Sequence, residues 1–290
     1  MTIYLESDTA KVSINEFGAE LSSFILKETG VEYIWQANPN YWGRHAPVLF
    51  PIVGRLKKNT YTYKSQPYRM NQHGFARDMT FDVIEQDASS VVFELKSNQE
   101  TLEKYPFEFR LLIGYKLVDN ELTTSYEVST LSDEMYFSIG AHPAFNVPLI
   151  EGTTIEDYYL HFYPLKSRIK IPLEGAYINS ESKTLAQTNT SIQLNHGLFK
   201  EDAQILETKG KNTFSILSEK HPHGVRVSYE DFPFVGFWSP NTVDAPFICI
   251  EPWCGIADDV SASGAIEEKI GINKLSKGDI FNRSYTIEII

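Results

Sequence analysis

Arg110-Leu111-Leu112-Ile113-Gly114-Tyr115-Lys116, then Val118-Asp119-Asn120-Glu121, then Leu122-Thr123-Thr124-Ser125-Tyr126-Glu127-Val128 is the stretch from which the fold is read. Both flanking runs alternate at period two. Successive side chains of an extended chain point to opposite faces, so such runs are half-buried strands. Asp and Asn tolerate left-handed backbone geometry, and an Asp-Asn pair between two alternating runs predicts a β-hairpin.

The same alternation recurs at Lys11-Val12-Ser13-Ile14-Asn15 and Ser90-Val91-Val92-Phe93-Glu94-Leu95. Further strands are expected over 213–217, 224–230, 234–239, 246–251 and 283–289. Helical signal is thin: Glu100 to Lys104 and Leu198 to Ala203 each suggest a turn or two, without a sustained 3.6-residue stripe. The fold class that follows is all-β, a large antiparallel β-sandwich. No fixed-period repeat, low-complexity tract or Pro/Gly/Ser linker divides the chain, so residues 1–290 are read as a single domain. The polar segment from Pro172 to Asn195 reads as a surface excursion.

Composition narrows the partners. The chain has 290 residues and a formal net charge of -12, the wrong sign for nucleic acid or an anionic membrane surface. Sixteen Tyr, eighteen Phe and four Trp suit strands and also suit the apolar faces of sugar rings. The start, Met1-Thr2-Ile3-Tyr4-Leu5-Glu6, lacks the features of a signal peptide, and no apolar run reaches the ~18 residues needed to span a bilayer. A cytoplasmic location is expected. Cys249 and Cys254 are the only cysteines and are read as reduced and structural.

Two strand-like runs end on single titratable groups. Phe247-Ile248-Cys249-Ile250-Glu251-Pro252-Trp253 sets one carboxylate in apolar company, which demands a partner or a raised pKa. Phe137-Ser138-Ile139-Gly140-Ala141-His142-Pro143 ends on an imidazole. His142 and Glu251 are therefore a candidate acid/base pair, for which near-neutral pKa values are expected. Other features carry less. His221-Pro222-His223 has an alternating ligand spacing without a completing carboxylate or thiol and reads as a surface turn. Adjacent Asp258-Asp259 side chains point opposite ways and cannot flank one glycosidic bond, so they read as a solvated loop. Cys254 lacks an adjacent activating base.

Pro51-Ile52-Val53-Gly54-Arg55, Asn71-Gln72-His73-Gly74-Phe75-Ala76-Arg77, Gly140-Ala141-His142-Pro143 and Cys249-Ile250-Glu251-Pro252-Trp253, in that order, resemble the aldose 1-epimerase family. The resemblance spans nearly the whole chain from Gly18-Ala19-Glu20-Leu21 onward, and is closest to the bacterial branch associated with lactose operons. It implies the galactose mutarotase-like supersandwich and a cofactor-independent isomerase with no metal, acting on a small-molecule sugar. It implies Glu251 as the base that takes the anomeric hydroxyl proton and His142 as the acid that protonates the ring oxygen. It further implies Arg55 and His73 as substrate-binding residues and Asp202, in Leu198-Phe199-Lys200-Glu201-Asp202-Ala203, as the hydroxyl-gripping aspartate. Trp238 and Trp253 could offer stacking faces. His73 is followed by Gly74-Phe75-Ala76-Arg77, a string like that of the hexose-6-phosphate 1-epimerase branch, in which Arg77 would hold a phosphate. A phosphorylated hexose is thus one alternative substrate, and a sugar-binding module without turnover is another reading. Oligomeric state is not encoded in these motifs.

Overall fold

Phe109–Val118 and Glu121–Thr130 form the predicted hairpin, in unbroken antiparallel register from Val118↔Glu121 to Phe109↔Thr130. Asp119 occupies the left-handed region at φ 50°, as the turn requires. The computed structural model describes residues 1–290 and builds a nine-stranded antiparallel sheet around this hairpin. Its order is Ile192–Gln193, Tyr158–Tyr163, Asn212–Ser218, Val225–Tyr229, Ile280–Ile289, Glu121–Thr130, Phe109–Val118, Ser90–Lys96 and Asp82–Gln86.

A second sheet of eight strands carries the chemistry. It runs Thr184–Ala186, Arg168–Ile171, Gln204–Glu207, Phe234–Trp238, Phe247–Cys254, Ile139–Ala141 and Val48–Leu49, with Ala144–Asn146 also paired to Phe247–Cys254. The alternate faces of the two sheets meet in one core of 63 buried residues from Ile3 to Ile289. Phe214 of the first sheet touches Phe237 of the second edge to face, with ring centroids 5.3 Å apart. Burial of such rings supplies the main driving force for closing the sandwich.

Helix content is as thin as the sequence implies. Gln99–Lys104 is a single short α-helix whose start is held by a capping box between Asn98 and Thr101, and His196–Phe199 is a 3-10 turn. The segment 172–195 differs from the expected surface excursion. It contains the hairpin Leu173–Glu174/Tyr177–Ile178 and an edge strand Thr184–Ala186, and Ile178 and Leu194 are fully buried. Strands of two or three residues hold too few alternations to be read from periodicity.

One irregularity positions the site. Phe247–Cys254 is buried along its whole length, but its partner on one flank is broken in two. Ile139–Ala141 pairs with its end and Ala144–Asn146 with its beginning, through Gly140↔Trp253 and Ala144↔Cys249. Stepping two residues inward from each register brings His142 level with Glu251. The break falls at Pro143, which has no N–H for the ladder, and its carbonyl accepts from Ile250 N at 3.3 Å.

Candidate active site

Cys249, Glu251 and Trp253 are alternate residues of one strand and share one face of the eight-stranded sheet. Glycines flank the indole: a Cβ added at Gly140 would come within 2.6 Å of Trp253 Cδ1, and one at Gly236 within 2.5 Å of its Cη2. Trp253 therefore lies over the sheet between two positions that admit no side chain, and floors a cleft of about 470 Å³. That size matches a small-molecule site. The cleft is lined by all of the residues singled out from the sequence, namely His142, Glu251, Arg55, His73, Asp202, Arg77, Trp238 and Trp253. Residues up to about 200 positions apart thus converge on one cavity.

His142 Nε2 lies 3.2 Å from Glu251 Oε2, and the two side chains are 9% and 1% exposed. Trp42 stacks on the imidazole at 4.9 Å, Trp238 meets it edge-on at 5.5 Å, and His73 does the same at 5.5 Å. This aromatic enclosure sets the electrostatics. Burial pushes Glu251 well above the usual carboxylate range, and the nearby Asp202 charge adds to the rise. Burial pulls His142 down to about 3, partly offset by a backbone hydrogen bond and reinforced by Arg77 and Arg44. The expected near-neutral value is therefore corrected for His142, which burial places far lower. The two shifts run in opposite directions, the carboxyl up and the imidazole down, because desolvation disfavours the charged form of each.

His73 sits at φ 67° in a turn closed by Gly74 N donating to Asn71 O at 3.0 Å. Gly74 is required there, since a Cβ would fall 2.2 Å from Phe50 O. The backbone N–H of Gly54 donates to His73 Nδ1 at 3.2 Å, and a main-chain donor cannot reverse. Nδ1 is thus unprotonated, the ring is neutral, and Nε2 carries the hydrogen. Burial, with the neighbouring His142 imidazole and the Arg77, Arg44 and Arg55 charges, likewise holds His73 well below its ordinary pKa. Gln72 Nε2 lies 3.2 Å from His73 Nε2, and since Gln72 Oε1 is taken by Arg55, that amide offers the imidazole N–H no acceptor.

Arg55 is exposed at the cleft mouth and donates to Gln72 Oε1 at 2.7 Å. Arg77 donates to Gln72 O at 2.7 Å, while its buried Nε has no hydrogen-bond partner. Burial lowers Arg77 to about 10, with Arg44 adding to the effect. Asp202 adopts φ 70° and accepts from Ala203 N at 2.8 Å. The lining thus holds three guanidinium groups, of Arg44, Arg55 and Arg77, together with the carboxyl groups of Asp202 and Glu251.

Sequence reasoning missed Trp42, Arg44, Leu173, Ala176 and Asn241, which also line the cleft. Trp42 and Arg44 lie in 36–47, a stretch without periodicity. Asp258 and Asp259 are not a solvated loop: each is only 4% exposed, and main-chain donors, the Lys269 ammonium and the Ser261 hydroxyl stand in for water around their carboxylates. His221 and His223 are half-buried and bonded to tyrosine hydroxyls, at 2.8 Å to Tyr158 and 3.1 Å to Tyr33. Burial lifts the Cys254 thiol to about 12, which removes it as a nucleophile. His142, Cys249 and Glu251 offer ligand atoms within 4.8 Å of one another, but burial and the Glu251 charge push the Cys249 thiol well up and keep it a neutral neighbour.

A large antiparallel sandwich with a sugar-sized cleft on one sheet places the molecule among galactose mutarotase-like β-sandwich proteins. The family model for aldose 1-epimerase matches residues 1–265, and the chain belongs to the aldose 1-epimerase family, whose members are isomerases that interconvert sugar anomers. It is 36% identical to the plasmid-borne protein LacX of Lactococcus lactis subsp. lactis, with 100% of both chains covered. Among solved structures it is similar to a galactose mutarotase related enzyme from Lactobacillus acidophilus, at 42% identity and TM-score 0.99, covering 100% of this chain and 97% of that one. A galactose mutarotase-like protein from Lactobacillus casei matches at 35% identity and TM-score 0.92, with 100% of both chains covered. No helix is long and apolar enough to cross a membrane.

Proposed function

We propose that this aldose 1-epimerase opens and recloses a hexose pyranose between Glu251 and His142. The O1–H proton passes to the Glu251 carboxylate, and the electron pair of the C1–O5 bond goes to O5. O5 takes its proton from His142, leaving a free C1 aldehyde. Rotation about C1–C2 and closure on the other carbonyl face, with the roles reversed, gives the second anomer. The reactive form carries the pair's proton on His142 with Glu251 ionised, reached by passing that proton across the 3.2 Å gap between them, and ring opening and reclosure then each move one proton in and one out. The observation that carries this reading is the 3.2 Å approach of the two groups on a walled, aromatic cleft floor. The shifts act in the needed directions, since a carboxyl driven up is a stronger base once ionised and an imidazole driven down a stronger acid once charged. Arg55, the His73 N–H and Asp202 position the hydroxyls, and Trp238 and Trp253 face the apolar side of the ring.

Polarimetry on fresh α-glucose or α-galactose tests it. Glu251→Gln and His142→Asn are each expected to lower the rate by ~10²–10⁴-fold. Unchanged rates in both variants would reject these roles, and saturable sugar binding with no rate above buffer in the wild type would favour a binding module. A phosphorylated hexose is supported as a second substrate reading by Arg77, which lines the cleft and whose buried Nε makes no hydrogen bond, while Arg44, also in the lining, is ion-paired to Asp78 at 2.7 Å. Comparing free and 6-phosphorylated hexoses decides between them. Two free buried thiols support a cytoplasmic location, and the continuous core from Ile3 to Ile289 supports one folding unit over 1–290.

A further inference from the structure

Neither Asp258 nor Asp259 lines the cleft, yet both are buried next to Ala257, which does. Neighbours on an extended chain point to opposite sides, and here each serves a different part of the cleft wall. Asp258 N donates to Arg55 O at 2.9 Å, and Asp258 Oδ2 accepts from Lys57 N at 2.8 Å, so the chain is clamped immediately after the Arg55 side chain, on either side of Leu56. Asp258 Oδ1 is balanced by the buried Lys269 ammonium at 3.0 Å, which also donates to Ile256 O at 2.6 Å. Gly54, one residue before Arg55, packs against Ala257 so tightly that a Cβ would come within 2.6 Å of its Cα. Gly54 is also the residue that fixes the tautomer of His73.

The second wall is the hairpin Leu173–Ile178, whose Leu173 and Ala176 line the cleft. Ile178 N donates to Asp258 O at 2.9 Å, and Val260 N to Ile178 O at 2.9 Å. Asp259 Oδ2 accepts from Ser180 N at 2.8 Å, and Oδ1 is held by Ser261 N at 2.8 Å and Ser261 Oγ at 2.6 Å. Buried carboxylates are unfavourable unless satisfied, and each of these two takes one main-chain donor from a different wall, Lys57 N for Asp258 and Ser180 N for Asp259.

We propose that Asp258 and Asp259 are positioning residues that together set the spacing of the substrate cleft, Asp258 acting through Arg55 and His73 and Asp259 through the Leu173–Ile178 hairpin. The inference rests on the reading that Arg55 contacts the sugar. Two double-mutant cycles on the full-length protein test it, with kcat, KM and thermal midpoint measured for each variant. Asp258→Asn is expected to raise KM about tenfold in the wild type and less than about twofold in an Arg55→Ala background, because coupled residues are not additive. Asp259→Asn is expected to behave likewise against Leu173→Ala. Lys269→Gln is the second variant for the first cycle if Asp258→Asn does not fold, since it removes the balancing cation and leaves the Lys57 contact. Independent, multiplicative effects in both cycles, or a lowered thermal midpoint with KM unchanged, would overturn the brace. An Arg55→Ala protein with wild-type KM would instead reject the sugar contact itself, a result read before either cycle is closed.

Discussion

Glu251 and His142 are each strained by the same enclosure in opposite senses, and the consequence reaches beyond the reaction. Unfolded, His142 is protonated below its ordinary 6.5 and Glu251 below 4.5. Folded, burial holds Glu251 well above 4.5 and His142 at about 3. The raised Glu251 value contributes stability that is fully present below 4.5 and is lost as pH rises from there to its folded value. The lowered His142 value acts in the opposite sense, with stability fully present above 6.5 and lost as pH falls from 6.5 towards about 3. Glu251→Gln removes the carboxyl contribution and leaves that of His142 alone. As pH rises from 4.5, calorimetric thermal midpoints are therefore expected to move against the wild type relative to Glu251→Gln. Parallel curves for the two proteins would mean that burial does not raise Glu251.

The strand Phe247–Cys254 and its two glycine-bearing neighbours form the working element. Gly236 lies opposite Glu251 in register and under the Trp253 ring, so Gly236→Ala must push the indole up into the cleft. Overpacking of this kind is worth about 1–3 kcal/mol of stability; a fall in thermal midpoint accompanied by a raised KM is expected. Trp253→Ala alone loses a buried ring and costs about 3–5 kcal/mol, but in that background Gly236→Ala should cost almost nothing more, whereas an undiminished further fall in midpoint would place the strain elsewhere. At this scale the sequence was legible where alternation was long. The strands around Asp119-Asn120 and the polar residues ending the His142 and Glu251 runs could all be read from it. The Leu173–Ile178 hairpin could not, its strands being too short for a period. Asp258 and Asp259 were rightly read as pointing apart, but their donors, Lys57 N and Ser180 N, lie 201 and 79 positions away. Local solvation cannot be inferred where the partners are so distant. Trp42, which stacks on His142, sits in a loop without pattern and left no signal.

Across the whole molecule, the order of four short motifs carried more information than any motif alone, because an antiparallel sandwich brings distant strand ends to one face only in particular registers. Charge is the property that belongs to this scale most fully. The chain carries a net -12, yet Arg44, Arg55 and Arg77 all line the cleft, so an anionic sugar meets a repelling field at long range and guanidinium groups at contact. Salt separates the two, since screening reaches ~30 Å at 0.01 M but only about 8 Å at 0.15 M. A neutral hexose should show one KM across this range. For a hexose 6-phosphate held by the arginines, contact attraction dominates once the long-range field is screened, and KM is expected to rise with salt from about 0.15 M upward. Arg77→Met should flatten that rise while leaving the neutral hexose KM within about twofold, as removal of one charge-assisted contact predicts. If instead the phosphate never meets the arginines, only the overall repulsion remains, and its KM must fall steadily as salt is added. The sign of that slope therefore decides which sugar the cleft is built to hold.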